Sequence, residues 1–167
     1  MVQPLIILLL ASLLWGCSTR TRAVSPTLAG PELDSVRVLI KADPQLNRFE
    51  SNPHALSLCL YLLKDPNGFK QLVQEKEGIP KLLDCSRFDA TVVNARQIVV
   101  QPGQELKEIN ETGEGARYIG IATGYFYQGK RRVTELSLLS SQLGDGHSES
   151  RVRIELGPQE IRALRVE

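Results

Sequence analysis

Apolar and polar residues alternate along most of the chain with a period of two, which is the pattern of a β-strand buried on one face. Val36, Val38 and Ile40 provide the first example, and the residues between them include the charged Arg37. Turn sequences that contain glycine or proline separate the alternating segments. Besides this first strand, the pattern predicts strands at 56–63, 96–101, 105–110, 116–127, 131–139, 150–156 and 160–166. About eight short strands with this spacing predict an all-β fold, a two-sheet β-sandwich.

The segment 56–63 is apolar on both faces. Four leucines at alternate positions form one face, and Cys59 lies on the other. A continuous apolar run of this length is typical of a fully buried strand, so we expect it in the middle of a sheet.

One stretch interrupts the strand pattern with helical spacing. Asp65-Pro66 supplies a cap and a first-turn proline, and apolar residues then recur every three or four positions. We expect this helix to end at Gly78 and Pro80 to begin a second short helix. The fold class is therefore a β-sandwich with one or two short inserted α-helices that cover an open edge or end of the sheets.

The N-terminal segment has the form of a signal peptide that ends at a cysteine. Residues 1–16 contain no charged side chain, and their apolar run at 5–14 is too short for a transmembrane helix of about 20 residues. Leu14 and Gly16 precede Cys17 as the lipoprotein signal peptidase prefers. Cleavage would leave Cys17 as the first mature residue, carrying a diacylglycerol and an N-acyl chain. Trp15 is bulky for this motif, so an ordinary secretory signal with a fortuitous cysteine is the alternative.

These features divide the chain into three parts. Residues 1–16 are the predicted signal peptide, 17–33 a lipidated tether and 34–167 the sandwich domain. The tether is rich in Ser, Thr, Pro and Gly, a composition that predicts a flexible linker. A coil of that length spans about 20 Å.

The charge balance excludes a simple nucleic-acid binder. The chain carries 20 Lys and Arg against 19 Asp and Glu, a net charge of +1 with neutral histidines. The basic residues do not cluster, so we expect no nucleic-acid partner.

Two cysteines, Cys59 and Cys85, remain in the domain after the predicted acylation of Cys17. An even pair in an oxidising envelope compartment favours a disulfide, with two separately buried thiols as the alternative.

Residues for catalysis are scarce. The only histidines, His54 and His147, lie in predicted loops among polar residues. The sequence contains no phosphate-binding glycine loop and no nucleophile elbow. We therefore expect no enzymatic activity, no metal site, no cofactor and no small-molecule substrate.

The longest connection between early strands, residues 42–55, is the candidate binding element. Leu46 and Phe49 stand there among polar residues, and long loops on rigid sandwiches are common binding elements. The alternative is that both side chains fold back onto the core.

The order and spacing of several short motifs resemble the outer-membrane lipoproteins of type VI secretion, the TssJ, VasD and SciN family. The resemblance covers nearly the whole mature chain. It is carried by Leu46-Asn47, the strand Leu56–Leu63 with its Tyr61-Leu62-Leu63 ending, Phe69-Lys70-Gln71-Leu72, Leu82-Leu83-Asp84, Val99-Val100-Gln101-Pro102-Gly103 and Ala116-Arg117-Tyr118-Ile119-Gly120-Ile121-Ala122.

This resemblance implies a transthyretin-like sandwich and a non-enzymatic role. Members of the family are anchored in the outer membrane by the acylated cysteine and face the periplasm. They bind the periplasmic part of the inner-membrane component TssM and, indirectly, TssL. The family's partner-binding loop corresponds here to 42–55, with Pro44, Gln45, Leu46, Asn47, Arg48 and Phe49 as candidate contacts. A free-standing periplasmic binding module is the main alternative, and a transthyretin-like hydrolase is a third.

Overall fold

Two β-sheets pack face to face, and two short helices cover the outer face of one of them. The computed structural model describes residues 33, 35–113, 115–126, 131–140, 142–144 and 147–167. The elements are β1 (Ser35–Ala42), β2 (Leu56–Leu63), α1 (Asn67–Gln74), α2 (Gly78–Leu83), β3 (Val92–Val100), β4 (Glu105–Thr112), β5 (Tyr118–Thr123), β6 (Thr134–Leu138), β7 (Gln142–Gly144), β8 (His147–Leu156) and β9 (Ile161–Val166). The predicted all-β sandwich with short inserted helices is confirmed. The helices lie on the outer face of the central strand β2, and the expectation that they cover an open edge or end of the sheets is wrong.

The sheets are mostly antiparallel. One has the order β4-β1-β8-β7, with β9 also paired to β8, and the other has the order β3-β2-β5-β6. The exception is β1, which runs parallel to β8 with Val38 opposite Val152. These directions bring four connecting segments together at the end of the sandwich where β1 stops: 43–55, 101–104, 124–126 and 157–160. We call these segments the loop pole. β1 begins at the opposite end, where the predicted tether joins the domain.

The strand β2 has the buried central position that its composition predicts. Its leucines at 56, 58, 60 and 62 face the other sheet in the main core. On the opposite face Cys59, Tyr61 and Leu63 pack with Phe69 and other residues of the helical segment in a second core. The sequence therefore places one strand between two apolar layers.

Gly78 begins the second helix, contrary to the prediction that it ends the first. The first helix stops at Gln74, and a Cβ at position 78 would collide with the backbone carbonyl of Leu72. The close approach of the two helices requires a glycine at this position.

The strand β3 begins four residues before its predicted start. The prediction missed these residues because two polar residues interrupt the apolar pattern of the strand. Asn94 and Arg96 lie opposite the inward-facing Leu62 and Leu60 of β2. Both side chains bind the carboxylate of Glu111 on β4, with contacts of 2.5 Å. This link ties the edges of the two sheets together and satisfies a carboxylate that is 7% exposed.

Three further features of the structure differ from the sequence prediction. The short strand β7 was not predicted, since three residues offer no period to recognise. The predicted strand 116–127 ends at Thr123, which leaves the next residues to the loop pole. Leu33 is buried in the main core and packs beside Gly113, so the folded domain extends one residue into the predicted tether. The signal peptide and Cys17 lie outside the described residues.

Candidate partner-binding surface

The loop 42–55 has an anchored half and an exposed half. Leu46 is fully buried in the main core and Asn47 is nearly so, whereas Arg48 and Phe49 are exposed. The sequence left open whether Leu46 and Phe49 are exposed for binding or fold back onto the core. Leu46 folds back onto the core, and Phe49 does not. Pro44 and Gln45 are also exposed, at the start of the loop.

Asn47 holds the loop to the segment that follows β5. Its side-chain nitrogen donates a hydrogen bond to the carbonyl of Ala55 at 2.8 Å, and its side-chain oxygen accepts one from the backbone N–H of Phe126 at 2.9 Å. The backbone of Asn47 has φ of +50°, a left-handed conformation that asparagine tolerates better than most residues. One buried amide therefore closes the loop and joins it to a segment 79 positions away.

The turn between β8 and β9 supports the loop from the other side. The backbone N–H of Arg48 donates to the carbonyl of Pro158 at 2.9 Å. The side chain of Gln159 donates to the carbonyl of Arg48 at 3.3 Å. Asp43 forms an ion pair with Arg162 at 2.8 Å. These contacts fix the backbone that carries the exposed side chains.

Three aromatic rings form a patch on the loop pole. The rings of Phe49 and Phe126 lie with centroids 5.0 Å apart and planes at 34°. The ring of His54 contacts both at steep angles, with centroids 6.4 Å from Phe49 and 5.2 Å from Phe126. We call Phe49, His54 and Phe126 the aromatic patch. Offset and edge-on arrangements of this kind are favourable ring geometries, so the patch is ordered by its own contacts.

Tyr125 places Phe126 at the surface by burying its own ring. The Tyr125 hydroxyl lies 3.1 Å from the carbonyl oxygen of Gly157 and 3.0 Å from that of Glu160. Burial raises the pKa of Tyr125 well above its usual value. Tyr125 is 2% exposed and the next residue, Phe126, is 57% exposed, so the buried ring leaves its neighbour at the surface.

Two buried tyrosines predict a loss of stability at alkaline pH. Burial raises the pKa of Tyr61 from 10.0 to about 12, and the Tyr61 hydroxyl donates to the carbonyl of Leu82 at 2.6 Å. Above pH 10 the unfolded chain ionises while the folded chain keeps these protons. The free energy of unfolding therefore falls, by about 1.4 kcal/mol per pH unit for each tyrosine, and for Tyr61 this continues up to pH 12.

Urea unfolding at pH 9, 10 and 11 measures this slope. The substitution Tyr61→Phe should lower stability at pH 9, since a hydrogen bond is lost, and make the decline above pH 10 shallower. An unchanged slope in Y61F would show that Tyr61 is not its source.

Of the remaining predicted residues, His54 lies in the loop pole, and the others lie away from it or outside the described part. Cys59 and Cys85 are joined by a disulfide, with Cα atoms 5.3 Å apart, which ties β2 to the segment after α2. His147 is the first residue of β8, and His54 belongs to the aromatic patch.

Among the described side chains, no group of three or more His, Cys, Asp or Glu residues has the geometry to hold a metal ion. Within the same ranges, no helix has the length and apolar character needed to cross a membrane.

Phe126 is the surface residue that the sequence did not single out. It lies inside the predicted strand 116–127, where its apolar side chain looked like part of an alternating pattern. The signal that distinguishes it is the glycine at 124 directly after the strand, a residue that commonly marks the end of regular pairing.

The fold and the aromatic patch define a class: small β-sandwich proteins that present a rigid loop surface at one end. The model of the type VI secretion lipoproteins (VasD, EvfM, TssJ) matches residues 34–159. The chain belongs to this family, whose members are structural, membrane-anchored lipoproteins of the type VI secretion system.

Solved structures show the same fold at low sequence identity. The type VI lipoprotein TssJ1 from Pseudomonas aeruginosa is 22% identical with a TM-score of 0.66, over 82% of this chain and 98% of that one. Lip from Serratia marcescens, a membrane-bound component of the same kind of system, is 18% identical with a TM-score of 0.64, over 80% and 97%. A structure described as the TssM C-terminal domain (869–1107) from EAEC matches at 16% identity and a TM-score of 0.60, over 80% and 98%. No curated protein sequence is similar enough to count as a match.

Proposed function

We propose that this lipoprotein links the two envelope membranes of a type VI secretion system. In this proposal acylated Cys17 holds the protein in the outer membrane, and the loop pole binds the periplasmic domain of TssM, which connects it indirectly to TssL. The protein contributes binding and position rather than catalysis. The observation that carries the proposal is the rigid, aromatic loop pole of a chain that belongs to the type VI lipoprotein family.

The position of the loop pole suits this role. β1 runs from the tether end to the loop pole, and its eight residues span about 26 Å at 3.3 Å per residue. The tether adds about 20 Å as a flexible coil. An anchor at one end and a binding surface at the other let the domain reach a partner beyond the lipid headgroups.

The loop must be tested at its exposed half, because a wholesale replacement of 44–50 would remove the buried Leu46. The double substitution R48A/F49A leaves Leu46 and Asn47 in place. If the loop binds TssM, this variant should weaken binding of the purified TssM periplasmic domain at least tenfold, with a melting temperature close to the wild-type value. Isothermal titration calorimetry measures the affinity and circular dichroism the melting.

The control is Leu138→Ala, since Leu138 is 62% exposed and lies at the opposite end of the sandwich. L138A should bind as the wild type does. If the wild-type domain does not bind the TssM periplasmic domain at all, the proposed function is wrong. If it binds and R48A/F49A has no effect, the loop is not part of the interface.

A further inference from the structure

Phe126 extends the loop pole beyond the loop that family resemblance identifies. Its side chain is 57% exposed, and Phe49 beside it is 36% exposed. The other large apolar side chains with comparable exposure in the described ranges are Val73, Val99 and Leu138, none of them a ring. Phe49 and Phe126 therefore form a pair of exposed phenylalanines in contact, each from a different segment.

We propose that the partner-binding surface is composite, with Phe126 after β5 supplying its second half and the buried Tyr125 holding that segment in place. The occupant is a segment of the TssM periplasmic domain that presents an aliphatic or aromatic side chain to the Phe49–Phe126 pair. This inference rests on the proposed function and names the part of that surface where most of the binding energy is concentrated. Well-packed aromatic residues near the centre of an interface commonly have that role.

Two hydrogen-bonded supports make the pair a preorganised contact. Asn47 joins the two segments through Ala55 and Phe126, and Tyr125 fixes the second segment to the turn 157–160. A surface already held in one conformation loses little entropy on binding. Asn47 is therefore a positioning residue, since it acts by fixing the backbone of Phe126.

The aromatic pair is too small to be a complete interface. A phenylalanine side chain buries about 200 Å² when fully covered, so the exposed parts of the two rings amount to about 190 Å². A stable protein–protein interface needs about 800 Å² on each partner. The rings therefore suit the centre of a surface that continues onto the exposed half of the loop, and the family match is the reason for naming TssM as its occupant.

The rim around the pair is polar, as expected of an interface centre with a solvated edge. A shallow cleft beside Phe49 is lined by Arg48, Glu50, Ser51, Arg131 and Gln159. These side chains can make hydrogen bonds to a partner's backbone while the rings exclude water.

The test is Phe126→Ala, with Leu138→Ala as its matched control. Leu138 is 62% exposed and lies on β6 at the end of the sandwich opposite the loop pole. We expect F126A to weaken binding of the TssM periplasmic domain at least tenfold and L138A to leave it within twofold. The variants F49A and F49A/F126A complete a double-mutant cycle. Because the rings contact each other, the losses in the double variant should be less than additive.

Three results distinguish the possible failures. If the wild type binds, R48A/F49A weakens binding and F126A does not, the composite surface is wrong and the proposed function stands. If the wild type does not bind, the proposed function itself fails. If sedimentation shows that the free domain dimerises and F126A abolishes the dimer while TssM affinity is unchanged, the occupant is a second copy and the assignment to TssM is overturned.

The role of Asn47 has its own readout. Asn47→Gly removes the acceptor for the Phe126 N–H together with the donor to Ala55, and glycine tolerates the left-handed backbone at this position. If Asn47 positions Phe126, N47G should weaken binding in the wild-type background and have little further effect when added to F126A. An equal loss in both backgrounds would show that Asn47 does not act through Phe126.

Discussion

Replacing Cys17 with serine is expected to abolish type VI secretion and leave the sandwich domain folded. Among the described residues the core runs from Leu33 onward, and a two-sheet sandwich with its own apolar core is expected to fold without the anchor. Without acyl chains the domain would diffuse through the periplasm. Membrane confinement raises the effective concentration of a binding site near its partner by orders of magnitude, and that advantage would be lost.

Secretion should depend on acylation because an anchor of several acyl chains holds a protein in the membrane much more strongly than one chain does. Each buried methylene contributes about 0.8 kcal/mol, so a single acyl chain binds reversibly, whereas several chains give a stable attachment. A complex that spans two membranes transmits force through this point only if the anchor does not leave the bilayer. Binding of C17S to the TssM periplasmic domain in solution should be unchanged, because the loop pole is at the other end of the domain.

The experiment compares secretion of a type VI substrate by cells that export wild-type or C17S protein at equal levels. Membrane fractionation and incorporation of labelled palmitate verify the modification. A matched variant, Ser18→Ala, changes the neighbouring residue without removing the thiol and should secrete normally. Normal secretion by exported, unacylated C17S would show that the anchor is dispensable. The same labelling applied to Trp15→Ala tests whether the bulky residue before the cleavage site slows acylation.

The strands were predictable from sequence where one local pattern decides the structure. Alternation located β1 and β2 because their inward residues are uniformly apolar. In β8 it located the part with the buried Val152, Ile154 and Leu156, and it missed the start of the strand, where the buried inward residue is Ser148. It failed at the start of β3, where Asn94 and Arg96 occupy inward positions and are satisfied by Glu111 on another sheet. From sequence alone, a polar residue in a strand is assigned to the surface unless a buried partner is known. The partner here is Glu111, which is 15 to 17 positions away along the chain.

The candidate surface was predictable only in part for a similar reason. The length and composition of 42–55 marked the loop, but alternation does not tell that Leu46 is buried and Phe49 is exposed. The contribution of Phe126 depends on a hydrogen bond to Asn47 across 79 positions. Contacts at that separation leave no local trace in composition or periodicity, so the second half of the surface required the structure.

Removing the disulfide between Cys59 and Cys85 is expected to lower the free energy of unfolding by about 3.5 kcal/mol. The bond closes a loop with a sequence separation of 26, and the chain-entropy model gives this value for a loop of that length. The loop contains both helices, which cover the second core on the outer face of β2. Loss of the bond should therefore permit the helical layer to open before the sandwich does, and the unfolding transition should broaden.

The conformation of Cys85 provides a matched pair of variants for this test. Its φ is +50°, a region that favours glycine over residues with a Cβ. Relative to the wild type, C59A/C85A loses the bond and keeps the unfavourable backbone conformation, whereas C59A/C85G loses the bond and also relieves that conformation. We expect C59A/C85G to be the more stable of the two by about 1 kcal/mol in urea unfolding.

The wild type treated with a reductant should fall close to C59A/C85A. All three forms should bind the TssM periplasmic domain with wild-type affinity well below their melting temperatures, because the aromatic patch is held by Asn47 and Tyr125 and not by the helices. Equal stability of reduced and oxidised wild type would show that the helical layer is held by packing alone. In that case Phe69 and Leu82, both fully buried against β2, would be the residues to substitute next.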